Sequence, residues 1–129
     1  IEPVYAREWS RIAELNTALV RTVAAFLSLA PEFRPASEFG LGSTGDSRLI
    51  DLTHAVGGST YISGAGGQNY QDPAKFASAG LQLEVRRYEP VPYPQGAPGF
   101  LPGLSILDAL FRLGTAAREV LVYADAATA

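Results

Sequence analysis

From Arg7 to Leu29 the apolar residues Ile12, Leu15, Leu19, Val23 and Phe26 recur at steps of three and four, while Arg11, Glu14 and Arg21 fall between them. That spacing lays one apolar stripe along a helix, so a long amphipathic helix is expected over residues 7–29, ending before Pro31. Phe33 to Phe39 reads as a short extended segment running into the turn-rich stretch Gly40-Leu41-Gly42-Ser43-Thr44-Gly45. The next helix is expected to begin near Asp46 or Ser47, both good N-caps, to carry Leu49, Ile50, Leu52 and Val56, and to stop at Gly57-Gly58. Ser59 to Ser63 is short, rich in β-formers and followed at once by glycine, the pattern of a buried strand at a sheet's end. Asp72-Pro73 pairs an N-cap with proline at the first helical position, Gly80 supplies the stop, and the brief helix between them turns Phe76 inward. Leu81, Leu83 and Val85 then alternate with Gln82, Glu84 and Arg86, a strand with one solvated face that Pro90 ends. After an irregular Pro-rich stretch to Pro102, Leu104 to Leu113 forms a helix stopped by Gly114, and Ala116 to Ala124 is read as another.

Helices and strands alternate in this reading, which predicts an α/β fold of three layers with a mostly parallel sheet and crossover helices. Three short strands are few for a self-sufficient sheet. The expectation is therefore a single α/β domain over residues 1–129, or the C-terminal portion of one that lacks its N-terminal strands. The opening on Ile1-Glu2-Pro3, in a chain with no Met, reads the same way.

With 129 residues, 47% of them hydrophobic, the chain can bury one core but not several. Its formal charge is −3 and its basic residues are scattered from Arg7 to Arg118 without a run, which argues against nucleic acid as a partner. Cys is absent, which excludes a disulfide scaffold, a thiolate nucleophile and Cys-ligated zinc. His54 has no second histidine with which to share a metal, and no metal site is expected. No apolar run is long enough to span a membrane and no leader pattern opens the chain, so the default location is the cytoplasm.

Three groups of residues could carry chemistry. Ser63-Gly64-Ala65-Gly66-Gly67-Gln68-Asn69-Tyr70 is a glycine-rich loop directly after a strand, where backbone N–H groups can point at an anion or a ligand can approach the main chain. It lacks the Lys and Ser/Thr of a P-loop and the third glycine of a dinucleotide fingerprint, so a merely tight connection stands beside the binding reading. Tyr93 and Gln95 lie in the irregular Pro-rich stretch and are candidates for ligand contact. Downstream of them, Ser105-x-x-Asp108 before an apolar run has the form of a capping box. Glu38, at the end of the segment before the turns, could act as a base or accept a hydrogen bond from an amine or sugar hydroxyl, or sit solvated on the surface. His54 reads as a helix-surface residue. Arg48, Arg86 and Arg87 could recognise phosphate or carboxylate, but Arg86 and Arg87 point to opposite faces of their strand.

The run Tyr61-Ile62-Ser63-Gly64-Ala65-Gly66-Gly67-Gln68-Asn69-Tyr70-Gln71-Asp72, then Phe76 and Ala79-Gly80, then Tyr93-Pro94-Gln95, then Phe100 to Gly114 (FLPGLSILDALFRLG) resembles the C-terminal half of the WbqC-like family. Ser37-Glu38-Phe39 followed by Ser47-Arg48-Leu49-Ile50 extends the resemblance upstream, so that it covers most of residues 7–114. Members of that family accompany genes for surface-polysaccharide (O-antigen) or unusual-sugar synthesis in bacteria. The resemblance implies a transferase, with glycyl or aminoacyl transfer to a sugar as the suggested reaction. Its histidine- and proline-containing N-terminal motif has no counterpart in these residues. Where motif letters match, the resemblance points to Ser63, Gly64, Gly67, Asn69, Tyr70 and Asp72 in the loop and to Tyr93, Gln95, Ser105 and Asp108 beyond it. With Gly66 added as a loop glycine, the candidate ligand set is Ser63, Gly64, Gly66, Gly67, Asn69, Tyr70, Tyr93, Gln95, Ser105 and Asp108, and Glu38 is the candidate base. The expected ligand is a sugar or nucleotide sugar, no cofactor is named, and a homo-oligomer is compatible with the reading. A non-catalytic nucleotide-sugar binding or scaffolding protein, or a nucleotidyltransferase-like enzyme, remains open beside the transferase.

Overall fold

The computed structural model describes residues 1–96, 98–121 and 123–124. In chain order these form helices α1 (Glu2–Tyr5), α2 (Ile12–Phe26) and α3 (Gly45–Ala55), strand β1 (Thr60–Gly64), helix α4 (Pro73–Ser78), strand β2 (Gln82–Tyr88), helix α5 (Ile106–Leu113) and the two-residue strand β3 (Tyr123–Ala124). Short 3₁₀ segments lie at Ala36–Phe39, Ala65–Asn69 and Gly114–Val120. The chain divides into two compact units, one built from Ile1–Phe33 and Val91–Leu121, the other from Arg34–Pro90 with Tyr123–Ala124.

In the first unit, the helix expected over 7–29 is shorter. Residues before Ile12 turn back, with the Trp9 indole donating to the Val4 carbonyl at 2.7 Å and Arg11 extended as the N-cap. At the other end Ser28 takes φ +56°, its amide bonds the Ala25 carbonyl at 3.0 Å, and the Leu29 amide bonds that of Ala24 at 2.8 Å. This paired closure satisfies the last helical carbonyls and ends α2 before Pro31 is reached. Helix α5 starts where the Ser105 hydroxyl accepts from the Leu107 amide at 3.2 Å, and ends at Gly114. The expected helix from Ala116 to Ala124 is replaced by the 3₁₀ segment Gly114–Val120 and by β3, residue 122 lying outside the described residues. In a 3₁₀ helix residues i and i+3 share one face, and Ala117 and Val120 are both buried. They form the core with Leu27 and Ala109, surrounded by Val23, Ile106, Leu110 and Leu113.

The second unit holds the sheet. β1 and β2 pair in parallel, Thr60 opposite Gln82 through Gly64 opposite Arg86, with α4 as the crossover. β2 and β3 pair antiparallel, Arg87 opposite Ala124 and Tyr88 opposite Tyr123. The α/β class is thus present, but the sheet joins one parallel pair to one antiparallel strand. Tyr61 stacks on the fully buried Phe76 of α4 at 5.5 Å, which puts α4 on the Tyr61 face, and on the other face Ile62 is 60% exposed. Asp72 caps α4 by accepting from the Ala74 amide at 3.0 Å, and Pro73 follows it. Two expectations change here. The segment before Gly40 is a 3₁₀ turn over Ala36–Phe39, because Pro35 at φ −63° offers its carbonyl to the Glu38 amide at 3.0 Å. The N-cap of α3 is the extended Thr44, and Asp46 sits in the first turn, where its carboxylate accepts from the Asp72 amide at 3.2 Å and from Lys75 Nζ at 3.4 Å. That carboxylate ties α3 to the start of α4.

Candidate functional site

The loop after β1 is built on three buried residues. Ser63 lies on the Tyr61 side of the strand by alternation and is 6% exposed; Gly67 and Gln71 are buried beneath the same loop. Gly67 packs so closely that a Cβ there would collide with Ser63 Oγ and with the Gln71 side-chain amide. The amides of Tyr70 and Gln71 both bond the Gly67 carbonyl, at 3.1 and 2.9 Å, so this glycine closes the turn. Gln71 is 9% exposed, and its Oε1 is buried with no hydrogen-bond partner. Ser63 Oγ makes a 3.2 Å contact to the Gly64 carbonyl.

Gly64 and Gly66 differ from Gly67. Gly64 has φ −74° and ψ 164°, a conformation open to any residue, and a Cβ at either glycine would meet nothing within 4 Å. Neither backbone strain nor packing calls for glycine at these two positions. What they leave is free space beside the main chain, at the carboxyl ends of parallel strands, where ligands of open α/β sheets bind. Of the remaining loop residues, Asn69 and Tyr70 are exposed, and Gln68 accepts from Arg87 Nη2 at 3.2 Å.

On the face opposite Tyr61, strand alternation and register bring together Ile62, Gly64, Glu84 and Arg86. An open cavity of about 430 Å³ lies there, lined by Ile62, Ser63, Gly64 and Arg86. Arg86 is in ion-pair contact with Glu84 on its own strand.

The other sequence candidates fall elsewhere. Glu38 sits on the exposed 3₁₀ turn and pairs with Arg34 at 3.4 Å. His54 places Nε2 3.2 Å from the Ala79 carbonyl, and Arg48 reaches the carbonyl of Leu41 at 2.8 Å. Tyr93, Gln95, Ser105 and Asp108 belong to the first unit, and there they act on one another or on nearby backbone. The Tyr93 hydroxyl donates to Asp108 at 2.8 Å and its ring meets Phe100 edge-on at 5.7 Å. Gln95 grips Leu101 twice, donating to its carbonyl at 3.0 Å and accepting from its amide at 2.8 Å. Ser105 caps α5 as expected, but the Asp108 carboxylate bonds Tyr93 and faces Arg112 Nε at 3.9 Å.

Sequence reasoning missed Gln71, for which residue type and spacing carry no signal, and an apolar cavity of about 520 Å³ in the first unit whose walls include Leu19, Val23, Leu27, Phe33 and Ile106. Among the described residues no three His, Asp or Glu side chains gather as metal ligands, and no helix is long and apolar enough to cross a membrane.

No solved structure matches the chain. The uncharacterized protein Rv1507c of Mycobacterium tuberculosis is 26% identical over 125 residues, which are 95% of this chain and 54% of that protein, so the chain spans about half the length of this relative. The WbqC-like family profile matches residues 1–120, a span that includes the glycine loop, the Tyr93 to Gln95 stretch and the start of α5, and the chain belongs to the WbqC-like protein family.

Proposed function

We propose that this chain is a cytoplasmic transferase of bacterial surface-polysaccharide or unusual-sugar biosynthesis, or the C-terminal portion of one, which binds a sugar nucleotide or an activated amino acid on the Ser63–Asp72 loop and passes a glycyl or aminoacyl group to a sugar. The observation that carries the binding site is Gly64, a glycine that neither conformation nor packing requires and that lines an open cavity at the end of β1. The reaction class rests on the family resemblance. In the transfer, the acceptor's amine or hydroxyl attacks the activated carbonyl carbon. A new C–N or C–O bond forms, the bond to the leaving group breaks, and a general base takes the acceptor's proton. Glu38 is the candidate for that base among these residues, and it would have to give up its pairing with Arg34 to serve. Loop amides stabilise the charge that develops on the carbonyl oxygen.

The test is to incubate the chain with an amino-bearing nucleotide sugar and an activated glycine and to follow the mass of the sugar. A glycyl adduct that Gly64→Val abolishes supports the reading. Full turnover by Glu38→Ala removes Glu38 as the base.

A non-catalytic binding protein is the second reading. It is favoured by the partners of the two side chains best suited to proton transfer, Glu38 being paired with Arg34 and His54 lying against the Ala79 carbonyl. Saturable binding of the nucleotide sugar without any adduct supports it, and turnover defeats it.

A further inference from the structure

Arg86 stands directly across from Gly64 in the parallel ladder. The missing side chain at Gly64 leaves nothing within 4 Å of the place a Cβ would occupy, and Arg86 lines the open cavity there together with Gly64. The other arginines near the sheet are committed differently. Arg87 bonds Gln68 on the opposite face, and Arg48 bonds the carbonyls of Leu41 and Ser43. Arg86 contacts Glu84, two residues earlier on the same face, and this partner is an anion that another anion can replace.

The chemistry of that exchange selects the ligand. Swapping Glu84 for a ligand carboxylate trades one such pair for another and gains little. A phosphate or diphosphate brings more negative charge and several acceptor oxygens to a planar fork of donors, and so competes successfully. We infer that Arg86 receives a phosphoryl group of the ligand in the cavity beside Gly64, and that Glu84 holds the guanidinium in place until the phosphate displaces it. This assignment rests on the reading of the Ser63–Asp72 loop as the binding element and names the anionic part of what binds there.

Isothermal titration of the full 129-residue chain with uridine diphosphate and with inorganic pyrophosphate tests it. Arg86→Leu is expected to weaken both probes about tenfold or more, the loss of a charge-assisted contact. Arg86→Lys, which keeps the charge but not the fork, falls between. Glu84→Gln tightens both, because the competing anion is gone. Melting curves close to the wild type's show that each variant is folded. Uridine diphosphate binding more tightly than pyrophosphate identifies a nucleotide as the source of the phosphates; equal affinity identifies the phosphates alone. Wild-type affinity in Arg86→Leu overturns the assignment. Should Gly64→Val abolish binding while Arg86→Leu does not, the loop reading stands and Arg86 falls. Arg86 falls likewise if neither probe binds but an uncharged sugar does so in a Gly64→Val-sensitive way, and both readings fall if none of the three binds.

Discussion

The Tyr93 hydroxyl donates to the Asp108 carboxylate at 2.8 Å across fifteen residues of chain, which fastens the Pro-rich stretch to the first turn of α5. Arg112, one turn further along, faces the other carboxylate oxygen at 3.9 Å, and its guanidinium lies where a Cβ on Gly96 would be. Two sequence motifs that resemble functional signatures are therefore parts of one clamp. Tyr93→Phe keeps the ring against Phe100 and removes only the hydroxyl. It is expected to cost about 1–2 kcal/mol, the range for a half-buried hydrogen bond to a charged acceptor. Asp108→Asn costs less, because its amide oxygen still accepts from Tyr93. Urea midpoints of the two variants check this. A Tyr93→Phe chain as stable as the wild type would show that the hydroxyl is not needed for folding.

Neighbouring glycines in the loop are expected to respond in opposite ways. Gly67→Ala drives a methyl group into Ser63 Oγ and the Gln71 amide, both buried, and is expected to cost about 1–3 kcal/mol, the range for overpacking. Gly66→Ala adds a methyl group to open space at an ordinary φ. It removes freedom from the unfolded chain only, and is expected to stabilise by about 0.4–1 kcal/mol. Thermal melts of the two variants give the comparison, and equal shifts would mean that Gly67 is not the turn's packing point.

Much of the second unit was legible because each element there carries its own punctuation. Asp72-Pro73 and Gly80 bracket α4, Gly57-Gly58 ends α3, and the alternation from Leu81 marks β2. The first unit misled where tertiary contacts override local pattern. The helix expected over 7–29 overran α2 at both ends, because Arg11 is extended and a single serine in the left-handed region ends the helix before Pro31, and Ala117 and Val120 share a core face that a 3₁₀ turn serves. In the candidate site, the glycines were visible but their division into one packing glycine and two open positions was not. That distinction depends on what surrounds each Cα.

Gln71 offers a separate check on the loop. Its Oε1 is buried with no partner, and an acceptor stripped of water without replacement costs about 1–3 kcal/mol. Met has nearly the same volume and no acceptor of comparable strength. Gln71→Met is expected to raise the unfolding midpoint by an amount equivalent to about 1 kcal/mol. A lower midpoint in chemical denaturation would mean that the amide holds the loop together through its other atoms.

Ser28 is the one non-glycine residue with positive φ among the described residues, at +56°, and it occupies the position after the α2 C-cap where glycine is the common choice. The strain comes from its Cβ, which crowds the backbone in left-handed geometry at a cost of about 1–2 kcal/mol. The side chain is exposed, so replacing it removes no buried contact. Ser28→Gly relieves the strain and gives back part of the gain as extra freedom in the unfolded chain, which leaves a net stabilisation of about 0.5–1 kcal/mol. Ser28→Val keeps the Cβ and adds branching that this conformation tolerates worst, and is expected to destabilise by about 1 kcal/mol or more. The opposite signs matter, because a serine acting through its hydroxyl would make both substitutions unfavourable. Differential scanning calorimetry on the pair therefore separates backbone strain from side-chain bonding as the way α2 is brought to its end.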